Sequence, residues 1–171
     1  MSSTPFYAHS SSSPAEKWHL LKEHLKGTAQ FAEEFARAAR PSDEDFAACA
    51  KWAGLLHDLG KYTDKFQRRL LNSAAGKKAE KAPHSKYGAA AAVKRKDFEA
   101  AFAILGHHAG LPSLTDLRNC AKNLEAEEIA SLVARAQEDG SSSLCTNIPA
   151  SSDDKTAKGK LDLRIRMLFS C

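Results

Sequence analysis

The stretch AGLLHDLGKYTDKFQ, from Ala53 to Gln67, sets an imidazole and a carboxylate side by side, His57 and Asp58, at the end of an apolar run. Such a pair can close a helix through hydrogen bonds or supply the first ligands of a metal site. Four further histidines stand in comparable places. His24 lies between Leu21 and Thr28 on an inward helical stripe, His84 lies where a basic loop meets a helix, and His107 and His108 close the next helix. Of the seven histidines only His9 and His19 fall outside this set. Neutral imidazole is a common ligand for Zn, Fe, Ni and Cu, and a carboxylate can bridge two ions. Each residue alone has an ordinary structural explanation as a hydrogen-bonded core or helix-end group. Burying so many titratable groups in one small helical core is costly unless something organises them, and a metal does that.

Adjacent residues on a helix point ~100° apart, so His57 and Asp58 serve one ion poorly. They serve two ions well, with Asp58 as the bridge and His57 turned toward one of them. Two-metal centres with ions ~3.5–4 Å apart clamp the attacking and leaving oxygens of a phosphoryl group and acidify water. Phosphoester hydrolysis is the natural chemistry. Lys61, one turn beyond Asp58, reads either as a contact for a substrate phosphate or as a solvated surface lysine.

The elements that must position these residues are helical. Sustained alternation of β-branched and polar residues is missing, and alanine-rich amphipathic segments dominate. Ser13-Pro14-Ala15-Glu16 combines an N-cap serine, proline at the first helical position and glutamate at the third. It predicts a helix with Trp18, Leu21, Leu25, Phe31 and Phe35 inward, stopping before Pro41. Ser42 and Asp43 cap a second helix with Phe46, Ala50, Ala53 and Leu56 inward, ending near Gly60. A short helix around Phe66, Leu70 and Leu71 precedes the basic, loop-like AAGKKAEKAPHS. Lys86 to His108 reads as one helix bent near Asp97 and closed by HAGLP, where Gly110 and Pro112 are stop signals. One or two helices follow between Ser113 and Asp139. Residues 141–160 read as flexible, and a last amphipathic stretch holds Leu161, Ile165, Leu168 and Phe169. The expectation is an all-α, single bundle-like domain over 1–171 with its ordered core over about 14–140.

Composition sets the outer bounds. A chain of 171 residues with 43% hydrophobic and 27% charged residues has material for one folded domain and argues against general disorder. The net charge of +4 permits an anionic partner without demanding one. Cys49, Cys120, Cys145 and Cys171 form no C-x-x-C pair, which points away from a zinc ribbon or disulfide framework and toward a reducing cytoplasm. The N-terminus does not read as a signal peptide, and no apolar run approaches the ~18–20 residues a bilayer requires. A soluble cytoplasmic protein without membrane partners is expected.

The elements YAHS, HLLKEHL, HDLGKYTDKFQRRL, HSKYGA and GHHAGLP, in that order from Tyr7 to Pro112, resemble the HD nuclease domain of the CRISPR-associated helicase–nuclease of type I interference systems. That domain belongs to the HD superfamily of metal-dependent phosphohydrolases. The resemblance implies an HD-type helical bundle that cuts single-stranded DNA in antiviral defence with two divalent transition-metal ions. By position, His24, His57 and Asp58 would hold one ion, and Asp58, His84, His107 and His108 the other. The implied partners are single-stranded DNA, a helicase domain or subunit, and a crRNA-guided surveillance complex. A histidine-rich shell favours Mn, Fe, Co, Ni or Zn over Mg, which prefers oxygen ligands.

The chain departs from the resemblance at its end. In the family the helix matching LDLRIRMLFSC continues into an aspartate that completes the first metal site, whereas this sequence stops at Cys171 with no helicase portion. Asp162 is the only acid in that stretch, and its spacing does not make it a substitute. The expectation is a truncated or isolated domain whose first metal site is the weaker one. Two other readings stay open: an HD phosphohydrolase acting on nucleotides, and a non-catalytic metal-binding helical module. The basic segment Lys77 to Lys86 and the run Lys94 to Lys96 could touch a DNA backbone or be solvated faces.

Overall fold

The computed structural model describes residues 5–11 and 14–140. The expectations for Ser13, for 141–160, and for Leu161, Asp162, Ile165, Leu168 and Phe169 lie outside the described residues, as do Cys145 and Cys171. The all-α expectation holds. Seven helices are present among the described residues: α1 (Leu21–Ala39), α2 (Glu44–Leu56), α3 (Asp64–Ala74), α4 (Ser85–Lys94), α5 (Phe98–Gly106), α6 (Leu114–Lys122) and α7 (Ala126–Glu138). Two short strands, β1 (Tyr7–His9) and β2 (His19–Leu20), pair antiparallel ahead of α1. None of these helices is long and apolar enough to cross a membrane.

The start of α1 differs from expectation. Pro14 opens only a 3-10 turn at Ala15–Lys17, and the chain is extended at Trp18. Trp18 is buried in a side cluster with Phe66, Leu70 and Ala82, while Leu20 pairs with Tyr7. That packing outweighs the local capping signal, so the helix begins at Leu21 without a side-chain cap. Its buried stripe is Leu21, Leu25, Ala29 and Ala36. Phe31 follows Ala29 by two residues, about 200° around the helix. Phe31 and Phe35 are therefore 60% and 52% exposed and stack on each other, rather than pointing inward as expected. Leu71 is likewise turned outward, one residue past the buried Leu70 on α3.

Asp43 caps α2 as expected, its side chain accepting from the Phe46 N–H at 2.9 Å. The helix ends at Leu56, however, and the chain tightens into a 3-10 turn at Leu59–Tyr62 that contains Gly60. The expected bent helix over 86–108 is two helices. At the end of α4 the Asp97 N–H reaches the Ala92 carbonyl at 3.0 Å and the Lys96 N–H reaches Val93 at 2.9 Å, a Schellman closure with Lys96 at φ +61°. Asp97 then caps α5 through the Ala100 N–H. Ser113 and Asp116 form a reciprocal capping box on α6.

Helix α1 packs along α2, α4 lies against α5 and α6, and α2 also meets α5. Small residues set how closely they approach. A Cβ on Gly54 of α2 would lie 2.6 Å from Ala29 Cα of α1, and one on Gly88 of α4 would lie 1.9 Å from the Leu56 carbonyl oxygen. No side chain larger than hydrogen fits either crossing without movement. The second crossing brings α4 onto the end of α2, where His57 and Asp58 stand.

Candidate metal centre

Two helix ends use the same local device. The last carbonyls of a helix have no intrahelical donor, and in both α2 and α5 the residue after the last turn is a histidine that supplies one. His57 Nδ1 lies 2.7 Å from the Gly54 carbonyl, and His107 Nδ1 lies 2.6 Å from that of Ile104. A carbonyl only accepts, so Nδ1 carries the hydrogen in each. In the neutral ring Nε2 is then a bare lone pair. Both Nε2 atoms face the same carboxylate, Asp58. The C-terminal ends of two helices also converge here, and their partial negative charge favours a cation.

Asp58 is buried between α2 and the 3-10 turn, and its two oxygens face different groups. Oδ2 lies 2.9 Å from His24 Nε2, 3.1 Å from His57 Nε2 and 2.7 Å from Lys61 Nζ. Oδ1 lies 3.0 Å from His84 Nε2 and 3.7 Å from His107 Nε2. His24 and His57 bring their Nε2 atoms within 3.0 Å of each other, as do His84 and His108. Burial alone would raise the Asp58 pKa. Wherever the imidazoles of His107, His24, His57 and His84 carry a proton toward it, they override burial and hold the carboxyl well below the usual carboxylate range. The His108 pKa is lowered too, by burial and by its neighbours His107 and His84, a shift that favours the neutral imidazole.

The six residues His24, His57, Asp58, His84, His107 and His108 are thus brought together, in two groups that share Asp58. His24, His57 and Asp58 form one group, and Asp58, His84, His107 and His108 form another, with donor atoms in each group within 4.8 Å of one another. The bonding pattern fits metal ions. Asp58 Oδ1 and His107 Nε2 are buried and make no hydrogen bond, although His84 Nε2 is close to the former. A lone pair facing a carboxylate oxygen is repulsive unless a cation or proton lies between them. Five imidazoles around one carboxylate are a donor set suited to transition metals.

His84 arrives from a distant segment, at the N-cap position of α4. Its approach depends on Gly60, where a Cβ would lie 2.4 Å from the His84 carbonyl oxygen and 2.5 Å from the Tyr87 ring. Gly60 is therefore a close-approach residue and not the helix stop that the sequence suggests, because α2 has already ended four residues earlier.

Lys61 is buried rather than solvated. Its side chain is 5% exposed, and Nζ donates to Asp58 Oδ2 and, at 3.1 Å, to the Ala8 carbonyl of β1. It ties the N-terminal strand to the central carboxylate. Gln67, from the same motif, completes the tie: its amide donates to the Tyr7 and Lys61 carbonyls and accepts from the Tyr7 N–H.

The strand so held brings in two residues that sequence reasoning set aside. His9 and His19 pair across β1 and β2, and their rings lie 5.0 and 5.5 Å, centre to centre, from His24. No periodicity could have found them, since they join the site only through hairpin closure and the Lys61–Ala8 contact. Beside His57 and His107 on the other flank lies an apolar groove of about 360 Å³, with Phe31, Phe35, Ala53 and Ile104 in its walls.

The model of one protein family, described as the HD domain, matches residues 21–143 of the chain. No curated protein matches it.

Proposed function

This chain belongs to the HD-domain family, whose members are typically metal-dependent hydrolases, and from that premise we propose that it is a phosphodiesterase that cleaves single-stranded DNA in CRISPR antiviral defence. The observation that carries the hydrolytic reading is the division of Asp58, one oxygen toward each histidine group. Two divalent ions bound there would stabilise charge at a phosphoryl centre and acidify water. His57 and His107 present fixed Nε2 lone pairs, because their Nδ1 hydrogens are committed to helix carbonyls. Asp58 holds the two halves at one distance, and Lys61 holds its orientation.

The strand-cleaving reading draws support from an open setting. His108, His9 and His19 are exposed around the cluster, so a continuous chain can pass over it. The order of motifs from YAHS to GHHAGLP supports the same substrate. A helicase domain or subunit and a crRNA-guided surveillance complex are the partners this reading proposes, and Mn, Fe, Co, Ni or Zn the ions. Of the basic run Lys94 to Lys96, Arg95 is stacked over the Trp52 ring, leaving the neighbouring lysines as backbone contacts.

The apolar groove beside His57 and His107 favours a second reading, hydrolysis of free nucleotides with the base in that groove. Single-stranded DNA and deoxynucleoside triphosphates, offered separately with Mn, Co or Ni, decide between them. Metal-dependent DNA cleavage lost in Asp58→Ala supports the proposal. Nucleoside release with DNA intact overturns it in favour of the second reading. No metal-dependent turnover of either leaves a non-catalytic metal-binding module.

A further inference from the structure

A ladder of three residues against two is too short to be stable alone, yet this one is fastened from several sides. The Leu21 N–H donates to the Phe6 carbonyl at 2.8 Å, Lys61 holds Ala8, and Gln67 holds Tyr7 through both backbone groups. The register is irregular between Tyr7 and His9, a feature that re-aims side chains at the edge of sites. The result is two imidazoles side by side, ring centres 6.3 Å apart and nearly parallel, facing the edge of a third that belongs to the Asp58 cluster. Neither ring makes a hydrogen bond to another described residue, and neither joins the two ligand groups around Asp58.

Their chemistry is that of exposed N–H donors beside a buried cation. A neutral imidazole always has one N–H to give, so the argument needs no particular protonation state. Partial burial, and after it the nearby Lys61, depresses the pKa of His9. An anion held on the Oδ2 side of Asp58 would meet these two donors first.

We propose that His9 and His19 form a substrate-positioning pair that donates hydrogen bonds to the phosphate oxygens of a nucleic-acid strand lying across the Oδ2 side of the cluster. This rests on the phosphodiesterase reading above. The pair acts on the strand and is not a further set of metal ligands. It is also distinct from Lys61, which is buried and donates to Asp58 and to the Ala8 carbonyl.

The test uses the full chain loaded with manganese and a fluorescein-labelled phosphorothioate oligothymidylate, which binds but resists cleavage. Two hydrogen bonds of ordinary strength predict about tenfold weaker binding for His9→Ala/His19→Ala by anisotropy. Bound manganese should be unchanged, and His9→Asn/His19→Asn, which restores an N–H donor at each position, should recover much of the affinity. Should the double variant fold poorly, the single substitution His19→Ala at the exposed position must weaken binding several-fold on its own. Equal affinity in wild type and variants overturns the pair while leaving the nuclease reading intact. Loss of manganese from the variants overturns it by making these residues ligands. A wild type that binds no oligonucleotide overturns the pair and the nucleic-acid reading together.

Discussion

The two faces of Asp58 present the same ligand chemistry under different electrostatic conditions. On the Oδ2 face, His24 and His57 share their carboxylate oxygen with Lys61, a buried cation already 2.7 Å away. On the Oδ1 face, His84, His107 and His108 surround an oxygen with no such partner, and the two buried side-chain atoms lacking hydrogen bonds among the described residues, Oδ1 and His107 Nε2, lie there. A cation arriving at Oδ1 resolves an unmet demand and finds four donor residues. One arriving at Oδ2 competes with an ammonium group for the oxygen and finds three. Equal ligand types therefore do not make equal sites. The Oδ1 side should bind first and more tightly, so the Oδ2 side is the weaker, on grounds internal to the cluster.

The strongest way to break this comparison is to remove what the faces share. Asp58→Asn should abolish binding at both, read as loss of bound metal, and should leave Lys61 buried without a counter-charge. Breaking a buried pair in that way costs ~3–5 kcal/mol, measurable by denaturant unfolding of the metal-free protein. The double variant Asp58→Asn/Lys61→Met should recover part of that loss, and an additive result would count against a coupled pair.

Next come the single ligands. His107→Ala should weaken the first, tight binding step by about 100-fold or more, beyond the ~10–100-fold typical of losing a mere supporting residue. His24→Ala should leave that step in place and weaken the second. Titration calorimetry with Mn or Co separates the two steps, and the reverse assignment would falsify the order of filling.

A third test reaches one face through the backbone. Gly60→Ala puts a methyl group against the His84 carbonyl and the Tyr87 ring, so α4 must shift. A destabilisation of ~1–3 kcal/mol is expected, with the tight step weakened more than the other. The smallest effect is also the most informative. Lys61→Met frees Oδ2 from its competitor and should tighten the weaker step by about tenfold, the worth of one charge-assisted hydrogen bond. Unchanged affinity on that side would mean that the ammonium does not set the difference between the faces.

Much of the site was legible in the chain before folding. His57 and His107 stand at helix ends that capping and periodicity locate, and His24 sits one turn into an amphipathic helix. Their division around Asp58 was what the resemblance implied; the ~100° between neighbouring helical residues separated only His57 from Asp58. Local signals failed where a distant contact outweighed them. Pro14 opens only a 3-10 turn, because Trp18 is drawn into a pocket with Phe66 and Leu70. Phe31 and Phe35 read as core by type, yet the helix phase set by Leu25 and Ala29 turns them out. Gly60 read as a stop because glycine does end helices. Its reason here is the passage of His84, which lies 24 residues away in sequence.

The sequence by itself determined which histidines and carboxylate could serve as donors and most of the helices whose ends and faces present them. Those follow from side-chain chemistry and from periodicities within a few residues. Only the tertiary structure decided which oxygen of Asp58 meets which histidines, that Lys61 turns inward to neutralise one face, and that His9 and His19 join the rim. Each of these depends on segments brought together across long stretches of chain, such as the 53 residues between Ala8 and Lys61. Burial then gives those contacts their strength, because a charge removed from water must find its partner inside the protein.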